Sequence, residues 1–212
     1  MNKVGMIVIL SAPSGCGKDT VFKEISKLRD DVCESISATT RKPRDGEVEG
    51  VNYFFKSPEE FERMIADDEL LEHAQYVGNY YGTPQFYVEQ KLSEGYDVIL
   101  EIEIQGALNV KQKFPDTVLM FLMPPTAEEL KSRLEGRGTE DADTIKARLL
   151  RAVEESQGVE NYDYIVINDV LEDCTDRIHG IICSEHCRAS NNMGSINRFR
   201  DELTNMWKGD AQ

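Results

Sequence analysis

The apolar positions of this chain fall into two patterns that take turns along its length. One is the β-rich apolar segment: Val4 to Leu10, broken by Gly5, then Asp97 to Glu103, Thr117 to Met123 and Tyr164 to Ile167. Such segments mark strands buried on both faces of a sheet. The other is apolar residues at three- and four-residue spacing, the mark of a helix with one buried face. It predicts helices over Lys18 to Leu28, where Val21, Phe22, Ile25 and Leu28 share a face, and over Gln85 to Glu94. Further helices are expected over about Ala107 to Lys113, Thr126 to about Glu135, about Asp141 to Ser156, and from Leu171 onward. Strands and helices in alternation predict an α/β chain built on a parallel sheet covered by helices on both faces.

The rhythm breaks between about Ser37 and Phe86. Val32 to Thr40 reads as one alternating strand, Tyr53 to Phe55 as a short one, Leu70 to Val77 as another, and Gly78 to Thr83 as a turn with a short strand. A single helix interrupts them, Pro58 to Ala66, with Ser57 as cap, Pro58 at its first position and Glu59 and Glu60 in its first turn. Its inward residues are Phe61, Met64 and Ile65. This predicts a small α+β insertion over the carboxyl edge of the sheet, where ligands bind in open α/β folds. After a polar break from Ala189 to Ser195, a last amphipathic piece carries Ile196, Phe199, Leu203 and Met206.

The first strand runs into Ser11-Ala12-Pro13-Ser14-Gly15-Cys16-Gly17-Lys18-Asp19-Thr20. A buried strand, a glycine-rich turn and a helix start make a phosphate cradle: backbone N–H groups turn inward, the helix end adds partial positive charge, and Lys18 adds a full one. The strict G-x-x-x-x-G-K-[ST] pattern is missed at both ends, with Ala12 for the first glycine and Asp19 for the hydroxyl. An ordinary glycine turn is the plain alternative; the flanking strand and helix favour the phosphate site.

Composition narrows the partners. The formal charge of −15 over 212 residues argues against broad binding to nucleic acid or acidic membranes, so each cluster of cations becomes a clue. No apolar run approaches the ~20 residues of a membrane span. The apolar N-terminus leads straight into the phosphate loop, so cleaving it as a signal would destroy the site. Five scattered cysteines suit reduced thiols, and the expected location is cytoplasmic. Cys183, His186 and Cys187 lie close on a predicted helix, but no second ligand pair follows at zinc-site spacing.

Five motifs now stand in order: Ser11 to Lys18; Ser37-Ala-Thr-Thr-Arg41-Lys-Pro-Arg44-Asp-Gly-Glu47; Gly78-Asn-Tyr-Tyr81-Gly-Thr83; Ile99-Leu-Glu-Ile-Glu-Ile-Gln-Gly106; and Arg133-Leu-Glu-Gly-Arg137-Gly-Thr. In this order they resemble guanylate kinase over about Met6 to His179. The resemblance implies a P-loop NTPase-type core of 1–36, 87–134 and 157–188, a GMP-binding insertion of 37–86, a short helical lid of 135–156 and a helical tail of 189–212. It implies transfer of the γ-phosphoryl group of ATP to GMP, with dGMP as a further acceptor, and Mg²⁺ carried by ATP. Ala12, Pro13, Ser14, Gly15, Cys16, Gly17, Lys18, Asp19, Thr20 and Asn168 then line the ATP site. Ser37, Arg41, Arg44, Glu47, Tyr53, Glu72, Tyr81, Thr83 and Glu103 line the GMP site. Lys18, Arg41, Arg133, Arg137 and Arg148 supply catalytic charge. No direct metal ligand is expected; Asp19, Thr20 and Glu101 are candidates for contact through water.

The chemistry of these residues agrees. Phosphoryl transfer asks for positioning and positive charge, and a monophosphate acceptor is already a nucleophile that needs no general base. Arg41 and Arg44 flank Pro43 on a loop and can clamp a phosphate, although a solvated basic loop reads the same on spacing alone. Guanine offers two adjacent donors, N1–H and the 2-amino group, that one carboxylate accepts together; adenine does not, and Glu72 matches the family's guanine-reading glutamate, with an outward-facing strand residue as its plain alternative. Arg133 and Arg137, four apart, share a helix face; surface pairing with Glu129 or Glu135 is their plain alternative. Two departures stand out: Glu101 and Glu103 replace the family's usual aspartates, and Asp19 replaces Ser or Gly. The competing expectations are an inactive phosphopeptide-binding relative, disfavoured by the intact Gly15, Gly17 and Lys18, and a kinase for another monophosphate.

Overall fold

The computed structural model describes residues 4–136 and 141–209. The chain forms two compact units, Met1–Thr175 and Asp176–Gln212. The larger holds two sheets. Its core is five parallel strands, β1 (Ile7–Ser11), β2 (Val32–Glu34), β7 (Asp97–Leu100), β8 (Val118–Met123) and β9 (Tyr164–Ile167), in the order β2-β7-β1-β8-β9. β1 is central, with Ile9 opposite Leu100 on one side and Leu119 on the other. All five β1 residues are buried, which is why its sequence is apolar without alternation. One core cluster joins Ile7, Ile9, Val98, Leu100 and Leu119 to Val88, Ala107 and Val110 of helices α3 (Gln85–Ser93) and α4 (Ile104–Lys113). Gly5 precedes β1 because a Cβ there would fall 1.7 Å from the Tyr96 carbonyl oxygen. Asp97, fully buried, accepts from the Met6 N–H at 3.1 Å and from Arg29 at 2.8 Å.

The second sheet contains β3 (Ala38–Thr39), β4 (Phe54–Phe55), β5 (Leu70–Tyr76) and β6 (Asn79–Pro84), in the order β4-β3-β6-β5. Helix α2 (Pro58–Ala66) buries Phe61 and Met64 in a cluster with Ala38 and Leu70. Its start is a full capping box: Ser57 Oγ accepts from the Glu60 N–H, and Glu60 accepts from the Ser57 N–H. Strands β5 and β6 meet in a two-residue hairpin, with Tyr76 opposite Asn79 and positive φ at Val77 (47°) and Gly78 (75°). Helices α1 (Lys18–Leu28), α5 (Ala127–Glu135) and α6 (Ala142–Glu155) complete the part of the unit that carries the site.

Several boundaries differ from the sequence reading, beginning with β1, which starts at Ile7 and not at Val4. The strand expected over Val32 to Thr40 is two: Val32–Glu34 pairs with β7, and Ala38–Thr39 belongs to the other sheet. Alternation marks a strand but does not say which neighbour it joins. The strand expected to reach Glu103 leaves the ladder after Leu100, because Glu103 is the N-cap of α4, which starts three residues earlier than expected. The expected polar break is largely helical: a 3₁₀ turn at Ser190–Asn192 leads directly into α8 (Met193–Gly209).

The smaller unit holds the end of α7 (Leu171–His186) and all of α8. Asn191 and Asn192 donate to the Glu185 and His186 carbonyls, closing the end of α7. On α7, Cys183 Sγ lies 3.6 Å from His179 Nε2. Among the described residues no three metal-ligating side chains gather into a cation site, and no helix is long and apolar enough to cross a membrane.

Candidate active site

The phosphate loop is held from below by the end of β1. Ser11 Oγ donates to the Ile102 carbonyl at 2.7 Å and accepts from the Tyr162 hydroxyl at 2.7 Å. Burial pushes the Tyr162 phenol up to about 12, so it stays a donor. Gly15 (φ 97°) and Gly17 (φ 81°) take left-handed conformations, and a Cβ on Gly15 would fall 2.8 Å from Leu134 Cδ2. Cys16 is buried, its N–H donates to the Pro13 carbonyl, and its own carbonyl accepts from Asn168 Nδ2 at 2.7 Å. Gly17 caps α1 and has no side chain to occupy the helix's first N–H groups. The loop's donors and the helix dipole therefore face the same place, an arrangement that suits a polyphosphate.

Carboxylates surround Lys18. Its Nζ lies 3.3 Å from Glu101 Oε2. Burial raises the Glu101 carboxyl above the usual range, Lys18 draws it back, and Asp19 raises it again. Glu34 at the end of β2 is raised by burial and then by Glu101 and Asp19. Like charges thus crowd one lysine, an arrangement that a cation would relieve. Asp19 and Thr20 are exposed at the start of α1.

Helix α6 reaches the loop through Arg148, whose Nη1 donates to Ser14 Oγ at 2.6 Å. Arg133 Nε donates to Glu129 at 2.7 Å along its own helix, the surface pairing weighed from sequence. Arg133 still stands close enough to Cys16 to pull its thiol downward, although burial dominates and lifts that thiol to about 12. Arg137 lies outside the described residues.

The second group of expected residues lies on the other sheet. Arg41 makes a two-pronged pair with Glu47, at 2.8 and 2.9 Å, and its guanidinium sits 5.2 Å from the centre of the Tyr53 ring. The Tyr53 and Tyr81 rings meet edge to face. The Arg41 hydrogen bonds, joined by the Arg44 N–H at 2.7 Å, hold the Glu47 carboxyl down at about 2. Glu72, on β5, accepts from the buried Thr83 hydroxyl at 2.8 Å. Burial is the largest influence and raises its pKa; the Thr83 hydrogen bonds lower it and Glu103 raises it again. Gly106 lets Glu72 approach α4, since a Cβ there would stand 3.2 Å from Glu72 Oε2. The Ser37 carbonyl accepts from the Phe54 N–H, tying the strand entrance to β4.

A cavity of about 610 Å³ joins Ser14 and Lys18 to Glu101, Glu103, Arg148 and Arg151. The donor loop, the acids after β7 and the α6 arginines therefore share one space. Arg41, Tyr53, Tyr81 and Thr83 are outside its lining and form their own group. Sequence reasoning missed Arg151, Tyr76, Tyr162 and Glu34. Arg151 carried a weak signal, three residues after Arg148 and four before Glu155; the others carried none.

Comparison with known proteins gives one answer. The family model described as guanylate kinase matches residues 5–185. A guanylate kinase of Bacillus cereus is 57% identical over 185 residues, covering 87% of this chain and 90% of the relative. One of Enterococcus faecalis is 51% identical, covering 96% of this chain and 100% of the relative. Among solved structures, a guanylate kinase from Anaplasma phagocytophilum superposes with a TM-score of 0.68 at 34% identity, over 88% of this chain and 89% of that one.

Proposed function

This chain belongs to the guanylate kinase family, and from that premise we propose how its residues carry γ-phosphoryl transfer from ATP to GMP. The loop from Ala12 to Thr20 holds the donor phosphates, with Lys18 drawn from Glu101 onto the β- and γ-oxygens. Asn168 and Tyr162 brace the loop from beneath, the first through the Cys16 carbonyl and the second through Ser11. Arg148 already touches the loop and, with Arg133 and Arg137, supplies charge to the transferring group. Phosphoryl transfer leaves little covalent work to the protein, so positioned cations are the main contribution.

The acceptor half reads phosphate and base separately. Arg41, Arg44, Tyr53 and Tyr81 receive the phosphate of GMP, or of dGMP. Arg41 is occupied by Glu47 and must exchange that partner or share itself with the incoming dianion. Glu72 receives guanine N1–H and the 2-amino group, with Ser37, Thr83 and Glu103 around it. The observation that carries this reading is the Glu72 carboxylate, desolvated and held in place by Thr83 at 2.8 Å. A buried acceptor left without its donors penalises the wrong base heavily.

Mg²⁺ fits the donor side, because burial and the neighbouring acids raise the pKa values of Glu101 and Glu34 beside a single lysine, with Asp19 adding to both. Asp19, Thr20 and Glu101 would hold it through water, and it would supply charge neutralisation on the phosphate oxygens. All five cysteines are thiols, which suits a cytosolic setting. The test is ADP release from ATP with GMP, dGMP, AMP, CMP and UMP in parallel. Turnover with GMP and dGMP far above the rest is expected. No turnover with any acceptor overturns the enzyme reading, and AMP above GMP overturns the assignment of Glu72.

A further inference from the structure

Arg151 of α6 joins the lid helix to both elements framing Glu72. Its Nη2 pairs with Glu103, the N-cap of α4, and its Nε donates to Glu155 at 2.9 Å. Its guanidinium lies 5.7 Å from the ring centre of Tyr76, the last residue of β5. Glu72 sits on that same strand, four residues earlier, and packs on α4 at Gly106, three residues after Glu103. One guanidinium thus reaches the strand that carries the base-reading carboxylate and the helix start against which that carboxylate rests. Arg151, Glu103, Glu155 and Tyr76 line the 610 Å³ cavity shared with Ser14 and Lys18.

We propose that Arg151 is a positioning residue for the acceptor base: by pairing with Glu103 and covering Tyr76 it ties the lid helix to the frame of Glu72, so that lid placement and guanine reading act together. The proposal rests on the assignment of Glu72 as the base reader. Three physical points support it. The Arg151–Glu103 pair is open to solvent, with side chains 43% and 66% exposed, so screening leaves it little to contribute to global stability. A flat guanidinium can hold a carboxylate and lie near an aromatic ring at once, which a lysine ammonium cannot do with the same geometry. Finally, Glu103 is the acid whose charge raises Glu72, so a cation on Glu103 offsets the like charge beside the base reader. The other groups facing Glu72 are the Thr83 hydroxyl and, along a neighbouring cleft, Asp68, His73 and Lys113; Lys113 is itself paired with Asp68 at 2.6 Å.

The experiment compares Arg151→Met, Arg151→Lys and Glu72→Gln in the full chain by steady-state kinetics across pH. Arg151→Met is expected to raise the GMP KM about tenfold, to leave the ATP KM within about twofold, and to keep the melting temperature. Its acid limb in kcat/KM for GMP should move to higher pH, because an uncompensated Glu103 raises Glu72. Arg151→Lys should restore the acid limb and recover only part of the KM. A GMP KM that stays put in Arg151→Met, or ATP and GMP KM values that rise together with the acid limb fixed, overturns the proposal. Glu72→Gln separates the two readings. If it leaves GMP binding intact, the base reader itself is wrong; if it weakens GMP while Arg151→Met does not, only the role of Arg151 falls.

Discussion

Glu72 and Arg41 solve opposite problems with the same physics. Glu72 is a carboxylate drawn out of water and partly compensated by Thr83, so its pKa is raised, with burial the larger effect. In the proposed role, guanine needs its ionised form. The sign follows: GMP binding is intact above the raised pKa and is lost as pH falls through it, earlier than for an ordinary glutamate. The GMP KM measured from pH 8 downward should rise on this limb, and Glu72→Gln should erase both the limb and the preference for GMP over AMP. A limb unchanged in Glu72→Gln would assign it to another group. Arg41 is instead held by Glu47, which falls to about 2 under that pairing. On the proposed role of Arg41, removing the cation removes a charge-assisted phosphate contact worth ~1.5–3 kcal/mol. Arg41→Met is therefore expected to raise the GMP KM more than tenfold, and an unchanged value would take Arg41 out of the site.

At the scale of elements, turns and helix ends set the geometry that the site uses. The hairpin between β5 and β6 needs positive φ at both central residues, and Val77, β-branched and 79% exposed, supplies one of them at 47°. Nothing is gained there by burial, so the strain is uncompensated locally. Val77→Asn should stabilise by about 1 kcal/mol, read as a melting temperature higher by about 2–4 °C; a lower melting temperature would show that Val77 makes a contact that matters. The phosphate loop has the reverse character. Gly15 combines a left-handed φ with a wall, Leu134 Cδ2, 2.8 Å from any added Cβ. Gly15→Ala should raise the ATP KM sharply while sparing GMP binding, and equal effects on both would show a general loss of fold instead.

For the whole molecule, the two sheets divide the work. The parallel core places its phosphate loop, Glu101 and Glu103 at the carboxyl ends of β1 and β7, while the second sheet carries Glu72, Thr83, Arg41 and Tyr81. Helix α6 spans from Ser14 to Glu103 through Arg148 and Arg151, so it touches both the loop after β1 and the start of α4. Binding both nucleotides should draw these parts closer. Small-angle scattering with ATP analogue and GMP together is expected to give a smaller radius of gyration than either alone, and superimposable profiles would count against closure.

Much of this was legible from residue order. Continuous apolar segments and helical spacing gave the parallel sheet, because burial on both faces leaves a pattern within a few neighbouring residues. Lys18 on its loop, the start of α2 with Ser57 as cap, and β9 at Tyr164–Ile167 were equally local. Other features depend on residues distant in sequence. That Val32–Glu34 and Ala38–Thr39 belong to different sheets is decided by which strands pair with them. The Tyr162–Ser11 contact spans 151 positions and the Arg148–Ser14 contact 134. Composition and periodicity carry no record of such meetings. Residue order carried the kinds of element, the phosphate loop and the kinds of residue that chemistry needs. Folding alone brings Glu47 onto Arg41, Glu101 to Lys18 beside other acids, and Arg151 to both Glu103 and Tyr76. These are pairings between charges brought together by folding, and their partners exist only once the chain has closed on itself.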